Sequence, residues 1–501
     1  MQFYLSAKKL DINSGDELIC IIHEADANEY GIGVNAGDRI EINWNGQVEP
    51  LIVTVDTSET LVREGEIGVY EDIWQKHKVE DKDVITIKLF EQIDSLEIIR
   101  KKLLGEELNY DDFYTVMTDI SNGRLNDILT SYFISSGYSP GFNQKEILLM
   151  TKALAMTGDI LKFEGIVADK HSIGGVGGKG ITPLVVPIVA ANGVIVPNTS
   201  TRAITSASAT TDMLEVIMPM SFVRKQLEEM IEKSGAFMVW GGSLNLAPAD
   251  DKIIKIQKFL GIESIDKFVS SIVAKKIAQG VNHVIFDVPV GEGAKIDEKE
   301  FEQVKNMFEL LGREFGIKVL IHKRNVSGID GFAIGPALEC REFLRVFEQA
   351  PERSIQLEEE ALRISGELLE LVGKAVAGKG YEMAKMTLLD GRGFAKLREI
   401  IKNQGGDSGV SSKNLEIGGQ VYEYKAKRSG KIKSINNQRI FEVAKALGNP
   451  RIKEAGAYFH VQPGSEVKAG ELLLTLYANS NIRLELGKKI IEKDLVFNWV
   501  V

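Results

Sequence analysis

Between about residues 162 and 345 the chain alternates short β-branched runs with longer amphipathic ones, and no other feature narrows its possible folds so far. The patterning predicts strands at 193–196, 237–239, 283–287 and 318–321, and helices at 224–234, 267–279 and 298–312. Strands separated by helices pair in parallel, with helices covering the sheet and ligands at the carboxyl ends of the strands. An α/β domain over 162–345 follows.

The flanking segments read differently. Residues 1–87 are short strand-like runs punctuated by Gly31, Gly33, Gly37 and Gly46, with Asn45-Gly46 as a hairpin signal. This predicts a small β-barrel with little helix. Residues 93–160 carry apolar residues at helical spacing over 95–104, 111–120, 125–134 and 144–156, a helical domain to which 248–279 returns. From 350 to 501 a C-terminal α+β domain is expected: two helices, one to 376 and one over 380–403, then a Gly/Ser-rich loop at 403–413 and a β-rich stretch from about 420. In that stretch Tyr458 and Phe459 suit either an oligomer contact or a core. The fold class is therefore multidomain α/β, as 501 residues with 44% hydrophobic content allow.

A net charge of −11 excludes a general polynucleotide binder, which needs a concentrated basic face, but not a small anion held in a basic cleft. Cys20 and Cys340 fit no metal spacing and read as reduced thiols of a cytoplasmic protein. The N-terminus lacks a secretory pattern, and the apolar stretch 183–197 is short and interrupted by Pro187, Asn192 and Gly193, so no membrane partner is expected.

Three clusters carry chemistry. The first is Asp169-Lys170-His171-Ser172-Ile173-Gly174-Gly175-Val176-Gly177-Gly178-Lys179-Gly180, with five glycines in seven residues. Absence of Cβ lets backbone N–H groups converge on an anion, Lys170 and Lys179 bracket them with charge, and His171 and Ser172 add directional donors. The following apolar run predicts a helix that places the loop at its N-terminus. Neither the P-loop pattern nor a dinucleotide fingerprint is matched; the bland alternative is a flexible turn with incidental basic neighbours. The second cluster runs from Thr199 through Thr201, Arg202, Ala203, Ile204, Thr205, Ser206 and Thr210 to Asp212, and eight of its fourteen residues carry hydroxyls. Such a run fills a core poorly and donates well to phosphate or sugar oxygens, unless it is only a capping loop. The third joins Trp240–Asp251, Ser271–Lys276 and Val290–Lys295. Ser271 and Lys275, four apart, share one helix face; Lys295 lies on a Gly-flexible loop; Lys276 is expected to be merely solvated.

The segments DKHSIGG, TRAITSASAT, GGSLNLAPADD, SSIVAKK and PVGEGAK, in this order, resemble the thymidine phosphorylase / AMP phosphorylase family, over roughly residues 95–480. The extra strand-rich N-terminus and the LNLAPADD wording point to the long AMP phosphorylase branch. The resemblance implies a helical domain facing a larger α/β domain across a closing cleft, and an N-terminal double-psi-like β-barrel. It also implies conversion of a nucleoside 5′-monophosphate (AMP, with CMP and UMP as further candidates) and phosphate to free base and ribose 1,5-bisphosphate. The implied partners are the nucleotide and inorganic phosphate, with no cofactor, no metal and a homodimer or higher homo-oligomer. By this resemblance Gly175, Thr201 through Ser206, Thr210, Ser271, Lys275 and Lys295 contact substrate. Lys170, Ser172, Thr201 and Thr210 match phosphate-binding positions, and His171 matches the active-site histidine. The proton donor, an Asp in the family, falls on Glu263 in an ungapped alignment and on Asp266 if the segment shifts. The chain departs from the branch at Gly177–Thr182, where Ile181 replaces a hydroxyl, and at Ala209, where a glycine is usual. Alternative readings are a pyrimidine nucleoside phosphorylase, a phosphoribosyltransferase of the anthranilate type, and a non-catalytic nucleotide sensor.

Overall fold

The computed structural model describes residues 2–15, 17–28, 31–45, 50–90, 93–178, 180–203, 206–260 (of 258–260 the backbone only), 264–291, 293–493 and 496–500. The chain divides into two compact units, Met1–Ala153 with Ala249–Ile262, and Leu154–Pro248 with Glu263–Val501.

In the first unit six strands close into a barrel: β1 (Gln2–Lys9), β2 (Ile19–His23), β3 (Arg39–Asn43), β4 (Leu51–Ser58), β5 (Glu66–Val69) and β6 (Val84–Leu89), in the order β1-β5-β2-β4-β3-β6. β1 pairs with β5, and β2 with β4, in parallel; the remaining pairs are antiparallel. Cys20 and Ile22, Ile40 and Ile42, Val53 and Val55, Ile67 and Val69, and Ile85 and Ile87 are all buried. Every second residue of each strand thus points into one interior, which is what fixes the register. The Asn45-Gly46 signal lies partly outside the described residues, though β3 and β4 on either side of it pair antiparallel as a hairpin requires.

Helices Asp94–Leu103, Tyr110–Ser121, Asp127–Ser136 and Gln144–Met156 follow, within a residue or two of their periodicity. Asn109 and Asp112 form a capping box at the second of these. The buried Lys102 ammonium lies 2.7 Å from Glu146, whose carboxylate also accepts the Leu108 N–H.

The second unit is built on five parallel strands: β7 (Ala168–Ser172), β8 (Val196–Ser200), β9 (Ala236–Trp240), β10 (His283–Val290) and β11 (Lys318–Asn325). β11, β10 and β7 form one ladder and β8 and β9 another, joined by a parallel bridge between Val167 and Ile195. The strand expected at 193–196 begins later. Gly193, at φ +73°, is still closing the turn after the preceding helix, so the extended run starts at Val196. That helix, Ile181–Ala190, is buried at all ten positions. Apolar on every side, it is sandwiched between the sheet and later helices, as such a sequence demands.

Two boundaries differ from the reading of the sequence. Of the block 248–279, Ala249–Ile262 belongs to the first unit, whereas Ile265–Ala278 stays with the second because its buried Lys276 pairs with Asp169 of β7. Where two helices were expected between residues 350 and 403, the described residues form three, Ile355–Leu371, Gly380–Leu389 and Arg392–Asn403, the last two separated at Gly391 (φ +83°). Leu362, Leu368, Leu388, Leu397 and Ile400 share one core with Leu184, Val185 and Ile188, so these helices complete the α/β layer. A separate core joins Ile329 and Ile334 to Ile432, Ile440, Phe459, Leu474 and Phe497, which settles Phe459 as interior. Around it stand a four-stranded antiparallel sheet, a three-stranded one, and helices Asn437–Leu447 and Asn481–Ile491.

Cys20 and Cys340 are buried free thiols. No helix among the described residues is long and apolar enough to cross a membrane.

Candidate active site

β7 lies inside the sheet, and its alternation sends Asp169 and His171 to one face and Lys170 and Ser172 to the other. On the Asp169 face, the carboxylate accepts from Lys276 Nζ at 2.5 Å and from Asn198 Nδ2 at 2.7 Å. Lys276 also donates to Gln279 Oε1 at 2.9 Å, and Gln279 in turn donates to Thr199 Oγ1. Lys276 is only 1% exposed, so the solvated role expected for it is overturned: a lysine this deep needs a carboxylate, and Asp169 provides one.

On the opposite face, Lys170 Nζ lies 3.2 Å from Asp287 of β10 and 3.3 Å from Thr182 Oγ1. Asp287 is shared. Arg324 of β11 donates to it through Nε at 2.7 Å and grips Asp330 with its other nitrogens at 2.6 and 2.9 Å. Ser172 donates to Asp287 as well. Despite complete burial, Arg324 and Lys170 hold the Asp287 carboxyl far below the ordinary range. Burial pushes the Lys170 ammonium below its usual value, which Asp287 only partly offsets. The cradle read from sequence is therefore narrower than it looked, because two of the three donors of Lys170 are already engaged.

The glycine loop is likewise clamped. Gly177 N–H donates to Asn437 Oδ1 at 2.9 Å, and Gly177 C=O accepts from Asp330 N–H at 2.8 Å. A Cβ on Gly178 (φ +81°) would collide with the Asp330 carbonyl, and one on Gly175 (φ +85°) with the backbone of Lys295. Both glycines are needed for close approach of two backbones as well as for their positive φ. Lys179 lies outside the described residues.

His171 meets the edge of Phe286, with ring centroids 6.3 Å apart. Burial first, then the nearby charges of Lys276, Lys170, Lys275 and Lys295, drive its pKa well below the normal imidazole value. A neutral histidine ringed by cations marks this end of β7 as electropositive. Lys295 lies over the Phe268 ring at 4.5 Å, and Phe268, Ser271 and Lys275 share the Ile265–Ala278 helix. The sheet thus brings together Lys170, His171, Ser172, Gly175, Lys275 and Lys295, while Ser271 lies on the helix that supplies Lys275.

The hydroxyl-rich loop leaves β8 at the same carboxyl edge. Its Arg202 turns to Glu215, 2.7 Å away, and over Trp240 at 4.5 Å. Ala203 N–H and Ala209 N–H both donate to Asp212, at 2.7 and 3.0 Å. Ser206 donates to Ser208 C=O at 2.8 Å, Thr201 is exposed, and Thr210 opens the Thr210–Leu214 helix. Lys453 ties this loop to the C-terminal segment through Glu215, at 2.9 Å, and the Asp212 carbonyl, at 3.1 Å. Ile204, Thr205 and Glu263 lie outside the described residues. Asp266 is half-buried, and burial raises its carboxyl pKa; burial also lowers the neighbouring Lys267 to about 7.

Asp287, Arg324, Asp330 and Asn437 escaped the sequence reading. Asp287 stood inside a predicted strand, and its only signal was a charge in an otherwise apolar run. Arg324 and Asn437 had none, since register and tertiary packing alone bring them here.

Comparison with known proteins finds relatives along nearly the whole chain. Residues 164–308 match the model described as "Glycosyl transferase family, a/b domain", 96–158 its "helical bundle domain", and 431–497 "Pyrimidine nucleoside phosphorylase C-terminal domain". AMP phosphorylase 1 of Archaeoglobus fulgidus is 37% identical over 485 residues, 96% of this chain and 95% of that one. AMP phosphorylase of Thermococcus sibiricus is 38% identical over 479 residues (95% and 94%), and that of Methanocaldococcus jannaschii 35% over 488 (97% and 96%). With likeness running through barrel, helices, sheet and tail alike, the chain belongs to the AMP phosphorylase family.

Proposed function

We propose that the protein catalyses phosphorolysis of AMP, releasing adenine and forming ribose 1,5-bisphosphate, and that the end of β7 seats the attacking phosphate. One observation carries the reading: Lys170, His171 and Ser172 stand at the carboxyl end of an interior parallel strand, with Lys275 and Lys295 brought alongside. Phosphate oxygen attacks C1′ of the ribose as the bond from C1′ to the base nitrogen breaks. The sugar gains positive character and the departing base negative charge. The phosphate dianion answers the first, and a proton given to the base answers the second. The nucleophile is the co-substrate itself. Neutral His171 is suited to hydrogen bonding with phosphate or ribose rather than to a fixed charge.

The donor must hold its proton near neutrality. The raised pKa of Asp266 supports that carboxyl among the described residues, with Glu263 the other candidate. Thr201, Arg202, Ala203, Ile204, Thr205, Ser206, Thr210 and Ser271 are assigned to substrate contact, Thr201 and Thr210 with a share of the phosphate. For Arg202 this requires leaving Glu215. We assign CMP and UMP as further substrates, a cytoplasmic homo-oligomer as the working form, and phosphate as the only small molecule needed besides the nucleotide. The barrel is assigned to the double-psi type, which its two parallel strand pairs support.

The test is incubation of the purified protein with phosphate and AMP, CMP, UMP, uridine or thymidine, followed by detection of free base. Base release from AMP is expected. Release from thymidine or uridine alone would transfer the assignment to a nucleoside enzyme, and tight AMP binding without release would make the protein a sensor.

A further inference from the structure

Four charged groups line up behind the proposed phosphate seat: Lys170, Asp287, Arg324 and Asp330. All four are 10% exposed or less in their side chains. Their charges sum to zero as they stand. Asp287 gives one oxygen to Lys170, at 3.2 Å, and the other to Arg324, at 2.7 Å, so Lys170 does not bear the whole of that carboxylate. Arg324 is fixed from behind by a forked contact to Asp330, the geometry in which a guanidinium holds most rigidly. The Asp330 backbone also supports the glycine loop through its N–H to Gly177 C=O. A cavity of about 190 Å³, lined in part by Arg324, Asp330, Gln356, Glu360 and Gln462, opens beside the pair.

We propose that Arg324 is a positioning residue for phosphate, holding Asp287 so that Lys170 and Ser172 face the anion while the carboxylate's charge is offset, with Asp330 as its opposing weight. This rests on the reading that Lys170 and Ser172 seat the phosphate. It yields a sign that a purely structural role does not. Removing Arg324 leaves the buried group with a net negative charge next to an anion site; neutralising Asp330 leaves it net positive. In a weakly screened interior each change acts on phosphate over several ångströms.

Phosphate and AMP saturation curves on the full-length protein test this. Arg324→Gln is expected to raise the KM for phosphate by roughly tenfold or more, with the KM for AMP within about twofold. Asp330→Asn, close in shape, is expected to lower the KM for phosphate by about threefold. The double substitution Arg324→Gln/Asp330→Asn returns it near the parent value, and Arg324→Lys recovers most of the affinity. A rise in phosphate KM in both single variants, or no change in Asp330→Asn, overturns the proposal. If Arg324→Gln does not fold, the sign of the Asp330→Asn effect decides alone. Lys170→Ala and Ser172→Ala separate the two layers. An unmoved phosphate KM in both removes the seat itself, whereas a wrong sign in Asp330→Asn removes only the positioning role.

Discussion

His171 and Asp266 lose water on folding, and the same loss moves them in opposite directions on the pH scale: the imidazole down, the carboxyl up. Each shift favours the neutral form, the direction that suits a hydrogen-bonding histidine and an acid that must carry a proton. Asp266→Asn is expected to lower kcat for AMP phosphorolysis by roughly 10²–10⁴-fold with KM nearly unchanged. The same loss in Glu263→Gln, with Asp266→Asn fully active, would place the proton on the other carboxyl. Because the acid must be protonated, kcat should fall as pH rises through its raised pKa, and that limb should disappear in the inactive variant. Gly178→Ala tests the loop: a Cβ there meets the Asp330 carbonyl at a φ that side chains disfavour. Phosphate affinity should drop and the melting temperature with it; an unchanged melting curve would mean that the loop yields freely. Lys170, His171 and Ser172 could be read from sequence because chemistry-bearing residues crowd there beside glycines. Arg324 could not, since nothing local distinguishes it from an ordinary strand charge, and Asp287 offered only a charge in an otherwise apolar run.

Elements were legible wherever their pattern was strong. The helix Arg224–Ser234 and the last helix of the helical domain, Gln144–Met156, stand where periodicity put them. The strand after Gly193 did not, because turn and strand share one apolar stretch and only the backbone angle separates them. The helices at 355–403, expected as part of a C-terminal domain, share a core with the Ile181–Ala190 helix. Their apolar stripes say that something is covered, and only the packing says that it is the Ile181–Ala190 helix. The loop between β7 and that helix owes its shape to Asn437, which accepts from Gly177 N–H and donates to Gly328 C=O at 3.1 Å. Asn437→Ala strands a buried donor, a loss of about 1–3 kcal/mol. It should weaken phosphate binding more than AMP binding, as isothermal titration with each ligand would show. Equal loss for both ligands would mean general unfolding instead.

For the molecule as a whole, stability should carry a pH signature from His322. Its two ring nitrogens face Glu360 at 2.7 Å and Glu367 at 2.8 Å, and these contacts, overcoming burial, raise it from 6.5 to about 9. A histidine whose folded pKa exceeds its unfolded one stabilises fully below pH 6.5, and that contribution is lost as pH rises through about 9. Thermal melts should therefore show the parent losing ground to His322→Gln across this window; parallel curves would refute the assignment. Patterning along the chain does not show which segments share a core, since cores draw on residues far apart in sequence. Those distances bear on how the protein is made. Gly177 waits 260 residues for Asn437, and Asp212 waits 241 for Lys453. A nascent chain on the ribosome displays the glycine loop and the hydroxyl-rich loop long before Asn437 and Lys453 emerge, and a transcript cut short of codon 437 encodes both loops without either anchor.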